Sequence, residues 1–316
     1  MMTRSSTLED LLSSLPREEG INSAYSYQYQ GFWYGPTLLQ GLIDCQQHFH
    51  AHENDVFLVT SPKSGTTWLK AILYALINRE ACSPQDPHHP LLQKTPHQLV
   101  PFLELLKPSD YDFVSNSSDN SISRIFACHI PTASLPISIR EAGKIVYLCR
   151  DIKDTFVSHF HFSNEANVRP SPISLENAFD LFCKGTSLAG PVWDHILGYW
   201  KESLERPDKV LFMSYEQITD EPHVQLRCLA HFLGKPFSQE EESSGLLDQI
   251  IKLCSFKSMS KQEVNKTGNF FGEVKNNLFF RSGVVGDWKN CLTAEMASKL
   301  DQITEEKFHG SGLYLT

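Results

Sequence analysis

The chain has 316 residues, a formal net charge of −9, and 41% hydrophobic and 21% charged residues. This composition is typical of a soluble globular protein, and the negative charge argues against a general nucleic-acid or anionic-membrane surface. The length allows one large α/β domain or two small ones. Because the net charge is negative, any anionic ligand would have to be held by a few local cations.

The N-terminal region has no apolar core of a signal peptide, and no run of the chain approaches membrane-spanning length. We therefore predict a cytoplasmic protein. Residues 1–20 are predicted to be a loosely ordered segment that contains a short helix over residues 8–15. Residues 20–35 are rich in aromatic side chains, which predicts an arm packed on the core; the alternative is the wall of a pocket for a flat apolar substrate.

The eight cysteines are widely spaced and form no C-x-x-C pair. Several lie within apolar runs, which favours buried, reduced thiols in a reducing compartment over a disulfide framework. A helix is predicted over residues 36–50. The histidines that follow alternate at i, i+2, so they do not share one helix face and do not indicate a metal site.

A strand, a tight polar turn and a helix are predicted over residues 55–77. Residues 55–60 form an apolar, β-branched run typical of a buried strand, and apolar residues recur at helical spacing over residues 69–77. Such a turn directs backbone N–H groups and the positive end of the helix at one point. The segment is therefore a candidate anion site.

The turn carries the residue types that a phosphate cradle needs. Gly65 lets the backbone approach a ligand, Lys63 supplies a positive charge, and Ser64, Thr66 and Thr67 supply hydroxyl donors. The loop differs from the Walker A pattern because Lys63 precedes Gly65 and the first glycine is missing. On this motif alone, an ordinary β–α turn is an equally good interpretation.

The next segments alternate between loops and a strand. Residues 80–100 are predicted as a loop, and residues 109–123 as a polar, mobile segment in which Asp110 is a solvated turn residue. Residues 123–129 resemble a strand that ends at His129. The end of a strand in an α/β sheet is where ligands usually bind, although a histidine in this position is more often structural.

Two more strand–helix units follow. Residues 144–150 are predicted as a strand, and a helix with Asp151 as its N-cap begins directly after it. Arg150 and Ser158 could then reach one phosphate together. Residues 209–215 are the strand of the last unit, and residues 222–233 its helix. Helical patterns also fit residues 175–184, 191–206, 240–253 and 293–308, and residues 265–277 are a candidate lid loop.

Strands that alternate with helices predict an α/β fold, with a mainly parallel central sheet flanked by helices. We see no repeat or linker and predict a single domain over residues 1–316. Three separate strand ends, carrying the phosphate-loop residues, Arg150 and Tyr215, would face one crevice in such a sheet. Their convergence is a stronger signal than any one of them.

The chain resembles the cytosolic sulfotransferases, and specifically their plant branch of flavonol, steroid and hydroxyjasmonate sulfotransferases, from residue 32 to residue 313. The resemblance is carried by the motifs P-K-S-G-T-T-W-L-K (62–70), P-H-x-L-V-P-F (96–102), H-I-P…S-L-P (129–136), V-Y-L-C-R-D…D-T-F-V-S (146–158), G-P-x-W-D-H (190–195), E-V-N-K (263–266) and F-F-R-x-G-x-x-G-D-W (279–288). It implies a P-loop-like phosphosulfate-binding loop and sulfation of small molecules in plant secondary metabolism. The implied sulfuryl donor is 3′-phosphoadenylyl sulfate, and no metal is implied.

The resemblance also assigns roles to residues at matching positions. It implies that His129 is the general base that takes the proton of the acceptor hydroxyl, and that Lys63 neutralises the departing bisphosphate. The residues implied to bind the donor are Lys63, Ser64, Gly65, Thr66, Thr67 and Trp68 in the loop, Arg150 and Ser158 at the 3′-phosphate, Tyr215 and Phe256 at adenine, and Arg281, Ser282 and Gly283 in a late clamp on the 3′-phosphate.

Three positions depart from the family pattern. Ser282 replaces the usual lysine of the late clamp, from which we expect weaker donor binding without loss of activity. Cys128 replaces the threonine that usually precedes the base, and Ala127 replaces a lysine of many animal members. The animal dimer motif is only partly present, because Ala294 and Ser298 do not fit it, and we therefore predict a monomer or a weak homodimer.

Two other functions stay open at this point. A phosphoryl-transfer kinase with an unusual loop would need Mg²⁺, and a catalytically impaired relative would bind the nucleotide without turnover. The sequence does not specify the acceptor, which could be a flavonoid, a steroid or a hydroxy acid.

Overall fold

The computed structural model describes residues 8–115, 124–166, 168–272 and 274–315. The strands are β1 Arg17–Glu19, β2 Tyr25–Tyr29, β3 Phe32–Tyr34, β4 Val56–Thr60, β5 Ile125–Cys128, β6 Lys144–Cys149 and β7 Val210–Ser214. The helices are α1 Leu8–Ser14, α2 Pro36–His48, α3 Thr66–Ile77, α4 Pro96–Leu99, α5 Pro108–Ser115, α6 Ile137–Glu141, α7 Ile152–Glu165, α8 Leu175–Cys183, α9 Val192–Glu205, α10 Tyr215–Asp220, α11 Pro222–Phe232, α12 Gln239–Ser243, α13 Leu246–Cys254, α14 Phe256–Met259, α15 Glu263–Lys266 and α16 Ala294–Phe308.

The central sheet is parallel and has the strand order β5-β4-β6-β7. Leu58 in β4 lies opposite Ala127 in β5 and Val146 in β6, which gives the register of the two strand pairs that β4 forms. Parallel strands need crossover connections, and helices provide these here. The predicted α/β fold with a mainly parallel sheet flanked by helices is confirmed. That residues 1–316 are one domain with a loosely ordered start stays a prediction; α1 and β1 lie within residues 1–20.

Alternate residues of the sheet enter two cores, one on each face. Phe57 and Val59 of β4 belong to one apolar cluster, whereas Leu58 belongs to the other, because successive strand side chains point to opposite faces. Helix α3 covers the second face with Leu69 and Leu73. The β4–α3 loop therefore begins from a strand and a helix that are both firmly buried.

The aromatic segment forms a second, antiparallel sheet that the sequence analysis did not predict. Strands β1, β2 and β3 pair in that order, with Tyr27 opposite Tyr34. Trp33 N–H donates to the Gly190 carbonyl at 2.9 Å, and Ala189 N–H donates to the Trp33 carbonyl at 2.8 Å. The expected packing of this arm on the core is correct, and backbone pairing across the chain holds it there.

Two predicted segments differ from the structure because of local capping. The single helix expected over residues 240–253 is two helices, α12 and α13, because Gly245 between them has a φ of +67°, which breaks the helical ladder. Within the predicted loop over residues 80–100, helix α4 forms. Thr95 and Gln98 make a capping box at its start, so two backbone N–H groups are satisfied reciprocally.

The segment predicted as polar and mobile begins with helix α5. Asp110 is not a turn residue but lies in the first turn of this helix, where its carboxylate accepts the Lys107 N–H at 2.9 Å. The rest of that prediction, residues 116–123, lies outside the described residues. All eight cysteines are free and several are buried, which agrees with the prediction of reduced thiols.

The candidate lid loop over residues 265–277 begins within α15 and is held by hydrogen bonds between its own residues. Asn269 and Lys275 form an isolated antiparallel bridge, and Phe270 N–H donates to the Val274 carbonyl at 2.8 Å. The amide of Asn276 donates to the Thr267 carbonyl at 2.8 Å. Across the described ranges, no helix combines the length and apolarity that a membrane crossing requires.

Candidate active site

The loop between β4 and α3 has the backbone geometry of an anion site. Helix α3 begins at Thr66, and its N-cap is Gly65, with a φ of +105° and no capping side chain. The first backbone N–H groups of a helix have no partner within the helix, so here they are left to a ligand. Lys63 also has a positive φ, +69°, which turns the chain sharply before the helix. The predicted strand–turn–helix is therefore present.

Two hydroxyl groups of this loop are used inside the loop. Ser64 Oγ lies 2.6 Å from Ser61 Oγ, and Thr66 Oγ1 lies 2.7 Å from Thr60 Oγ1. Both side chains are buried. Of the three residues whose hydroxyls are expected to face one anion, Thr67 is the one that lines the cavity described next.

A cavity of about 330 Å³ opens beside the loop, and we call it the first cavity. It brings together most of the residues that the sequence analysis assigned to the donor, drawn from five distant parts of the chain. Of those residues it is lined by Lys63, Gly65, Thr67, Trp68, Arg150, Ser158, Tyr215, Phe256, Arg281, Ser282 and Gly283. Ser64 and Thr66 are the assigned residues that do not line it.

Aromatic rings form one end of the first cavity. The ring centroids of Trp68 and Tyr215 are 5.0 Å apart, and the two planes meet at 66°. Tyr215 O–H donates to the Gly283 carbonyl at 2.8 Å, which ties the late segment to the sheet edge. A Cβ on Gly283 would approach Phe256 to 2.7 Å, so this position has room only for glycine. These rings offer flat faces suited to a nucleobase.

Three cations line the first cavity. Arg150 Nη2 donates to the Val284 carbonyl at 2.8 Å and to Asp154 Oδ2 at 3.2 Å. Its Nε is buried and has no hydrogen-bond partner among the described residues. An anionic ligand in this cavity could accept that hydrogen bond. Arg281 pairs with Asp287 at 2.6 Å. Together with Lys63 these charges could hold a doubly phosphorylated ligand.

A second cavity, of about 460 Å³, lies on the other side of Lys63 and Phe279, which line both. Its walls are mainly apolar, and five phenylalanines line it: Phe102, Phe162, Phe270, Phe271 and Phe279. The polar side chains in its lining include His97, Glu104 and His129. This is the composition of a site for a small, largely apolar molecule.

His129 follows β5 and lines the second cavity. Its Nδ1 lies 2.9 Å from the Thr60 carbonyl oxygen, which can only accept. The hydrogen is therefore on Nδ1, and Nε2 has a free lone pair. Burial lowers the pKa of His129 to about 3, so the ring is neutral. The imidazole thus has the tautomer that a proton acceptor needs.

Glu104, which the sequence analysis did not single out, positions His129. Its Oε1 accepts the His129 backbone N–H at 2.6 Å, while its Oε2 has no partner within the described ranges. Burial raises the pKa of Glu104 to about 7. The glutamate is the second residue after the P-H-x-L-V-P-F motif, and an acidic residue within an apolar stretch is the signal that could have identified it.

Lys63 is placed between the two cavities. Its Nζ lies 3.8 Å from the centroid of the Phe162 ring and 5.6 Å from that of Phe279. Burial, with the positive charges of Arg281 and Arg150, lowers the pKa of Lys63 to about 7. An anion in the first cavity would oppose this shift and hold the lysine in its charged form.

Replacing Gly65 with alanine should weaken nucleotide binding. A Cβ at this position would approach Tyr215 Cδ2 to 2.6 Å, and alanine does not tolerate the φ of +105°. The ligand for this test is adenosine 3′,5′-bisphosphate (PAP), which is the expected donor without its sulfuryl group. We expect its dissociation constant to rise by roughly tenfold or more, since the loop must absorb strain of about 1–3 kcal/mol. Isothermal titration calorimetry measures it.

Gly234→Ala is the matched control for this change. Gly234 also has a positive φ, +73°, but no atom lies within 4 Å of the added Cβ. Both variants should lose thermal stability, and only the variant at Gly65 should lose affinity for PAP. Equal PAP affinities in the two variants would show that the loop does not contact the nucleotide.

Ser282→Lys should tighten PAP binding, because it adds a cation beside Arg281 in the first cavity. We expect a gain of about two- to fivefold, the size of a partly screened charge interaction, and a smaller gain at high salt. Ser244→Lys, at an exposed site outside the first cavity, is the control for net charge. An unchanged dissociation constant in Ser282→Lys would contradict the role of this position.

Comparisons with known proteins agree on one family. The family model for the sulfotransferase domain matches residues 53–312. Cytosolic sulfotransferase 13 of Arabidopsis thaliana is 45% identical over 305 residues, which cover 96% of this chain and 92% of that protein. A crystal structure of an Arabidopsis thaliana protein described as a steroid sulphotransferase has 40% identity and a TM-score of 0.76, covering 97% of this chain and 94% of that one. A mouse sulfotransferase in complex with PAP has 27% identity and a TM-score of 0.71, covering 90% and 95%.

Proposed function

The chain belongs to the sulfotransferase family, and from this premise we propose that it moves a sulfuryl group from 3′-phosphoadenylyl sulfate to a hydroxyl group of a small acceptor. The observation that carries the proposal is the position of Lys63 and Phe279, which line both cavities. A donor in the first cavity and an acceptor in the second would meet at Lys63. The reacting groups would then be held in one place, which is the main contribution that such transfers require.

The residues of the first cavity support donor binding. The helix N-terminus and Lys63 would hold the 5′-phosphosulfate. Arg150 and Ser158, with Arg281, Ser282 and Gly283, would hold the 3′-phosphate, and Arg150 Nε is already without a partner among the described residues. The rings expected at adenine are Trp68, Tyr215 and Phe256.

The second cavity supports the chemistry of the acceptor. His129 Nε2 takes the proton of the acceptor hydroxyl while the hydroxyl oxygen forms a bond to the sulfur of the donor. The bond between sulfur and the 5′-phosphate oxygen breaks, and Lys63 stabilises the negative charge that develops on that oxygen. The products are a sulfate ester and PAP, and the proton is on His129 until solvent removes it.

The acceptor that fits the second cavity best is a neutral ring compound such as a flavonoid or a steroid. Phenylalanine walls favour flat apolar rings. Lys63 is the one Lys or Arg among the described residues that line this cavity, and Glu104 adds a buried carboxyl group. Both features disfavour a hydroxy acid. Lys63 is assigned to the donor, so the carboxylate of such an acceptor would have no cation to pair with.

We further propose that the protein acts in the cytoplasm, as a monomer or a weak homodimer. The similar Arabidopsis proteins are named cytosolic sulfotransferases, and free cysteines suit a reducing compartment. Sedimentation at several protein concentrations would measure the oligomeric state.

Among the described residues, no group of three or more His, Cys, Asp or Glu side chains is arranged to hold a metal.

An acceptor screen with ³⁵S-labelled donor tests the proposed function. Labelled product should form with flavonoids or steroids, with less from hydroxy acids, and should be unaffected by a chelator. Phosphoryl transfer from ATP that is abolished by a chelator would favour a kinase instead. Tight binding of PAP without transfer to any acceptor in the panel would identify an impaired, nucleotide-binding relative.

A further inference from the structure

A buried chain of three side chains connects the wall of the second cavity to the first. Lys70 Nζ lies 3.2 Å from His97 Nδ1, and His97 Nε2 lies 3.2 Å from Thr67 Oγ1. Lys70 and His97 are buried, and His97 lines the second cavity while Thr67 lines the first. None of the donor-binding assignments made above includes Lys70 or His97.

The directions of the two hydrogen bonds follow from Lys70, which lies at one end of the three side chains. Burial lowers the pKa of Lys70, whereas the nearby carboxyl group of Glu104 favours its charged form. As an ammonium group Lys70 only donates, so His97 Nδ1 accepts from it. The face of the Phe102 ring, whose centroid lies 3.2 Å from Lys70 Nζ, offers this ammonium a favourable contact. Burial and the neighbouring Lys70 lower the pKa of His97, so its ring is neutral and carries one hydrogen. That hydrogen is on Nε2 and is donated to Thr67 Oγ1.

We propose that Lys70 and His97 are positioning residues for donor binding: they occupy the acceptor side of the Thr67 hydroxyl, so that its hydrogen points into the first cavity. The proposal rests on the proposed function. There Thr67 donates to an anionic oxygen of the donor. Without His97, the Thr67 hydroxyl could rotate to bond the carbonyl of Ser64 or Lys63 in the turn before the helix, at the i−3 and i−4 positions that threonine side chains often use.

The surroundings of His97 keep its ring in this orientation. Its centroid lies 4.5 Å from that of Phe270 in the lid loop and 4.3 Å from that of Phe279, and it stacks on Phe102 at 5.6 Å. The rings shield the chain from water, which strengthens its hydrogen bonds. Phe270 belongs to the candidate lid loop, so this loop contacts the same histidine that orients Thr67.

A double-mutant cycle on PAP binding tests this proposal in the full-length protein. Thr67→Val removes the hydroxyl with little change in shape, and His97→Phe removes both nitrogens but keeps an aromatic ring. Each should raise the PAP dissociation constant roughly tenfold, the usual effect of losing a hydrogen bond to a charged group. The double variant should bind no more weakly than Thr67→Val alone, because His97 acts through Thr67.

Two conservative variants separate positioning from a loss of fold. Thr67→Ser keeps the hydroxyl, and His97→Gln places an amide N–H near the position of Nε2; both should bind PAP within about threefold of the native protein. Native-like PAP affinity in His97→Phe, multiplied losses in the double variant, or a loss in His97→Gln as large as in His97→Phe would each overturn the proposal. If the native protein itself fails to bind PAP, the proposed function is wrong as well.

Discussion

Replacing His129 with alanine is expected to lower kcat by roughly 10²–10⁴-fold, the usual contribution of a general base. His129 Nε2 has a free lone pair, because the Thr60 carbonyl accepts the hydrogen on Nδ1. His129 lines only the second of the two cavities. The affinity for PAP, measured by calorimetry, should therefore stay close to that of the native protein while transfer to the acceptor is lost.

A second substitution distinguishes proton transfer from positioning. His129→Asn retains an N–H that can reach the Thr60 carbonyl but offers no basic nitrogen at the place of Nε2. It should be as slow as the alanine variant. His48→Ala, at the exposed end of α2 and outside both cavities, is the matched control and should turn over normally. Normal turnover by either His129 variant would remove this residue from the mechanism.

The parts of the fold that sequence predicted best are those with strong local signals. The run at β4 is rich in apolar and β-branched residues, and Gly65 marks the turn that follows it. The strand ends at Arg150 and Tyr215 have the same local pattern. They converge because strands of a parallel sheet end at one edge, and the first cavity is lined by residues from all three.

Other features depend on contacts between distant segments and could not be predicted from a local pattern. The β1–β3 sheet is held against the core by backbone pairing of Trp33 with Ala189 and Gly190, and those residues are far apart in the chain. The break at Gly245 follows from its positive φ in a sequence that otherwise has helical periodicity.

The polar network between the cavities was missed for a different reason. Lys70 lies in a helix whose apolar residues face the core, and a charged residue there is unusual because burying a charge is costly. That exception was the available signal. The hydrogen-bond partner of Lys70, however, is His97 in helix α4, and nothing in the local sequence gives the distance of 3.2 Å between the two side chains.

Exchange of Lys63 for methionine is expected to reduce kcat by roughly 10²–10³-fold, as for the loss of one preorganised charge at a developing anion. Methionine keeps most of the apolar stem and removes the ammonium group, together with its contact with the Phe162 ring. Lys201→Met, on the exposed face of α9 and outside both cavities, is the control for the charge change. Single-turnover transfer measures the chemical step directly, and an unchanged rate would contradict this role.

The pH dependence of PAP binding gives an independent test of Lys63. Its pKa is lowered to about 7 before the anion binds, by burial and by Arg281 and Arg150, and a bound phosphate raises that pKa again. Below pH 7 the lysine is already charged, so binding takes up no proton. Above pH 7 binding must take up a proton, and the dissociation constant should rise by up to about tenfold per pH unit. The methionine variant should lack this rise between pH 7 and 9, because a thioether cannot titrate; an equal rise in both proteins would assign the effect to another group.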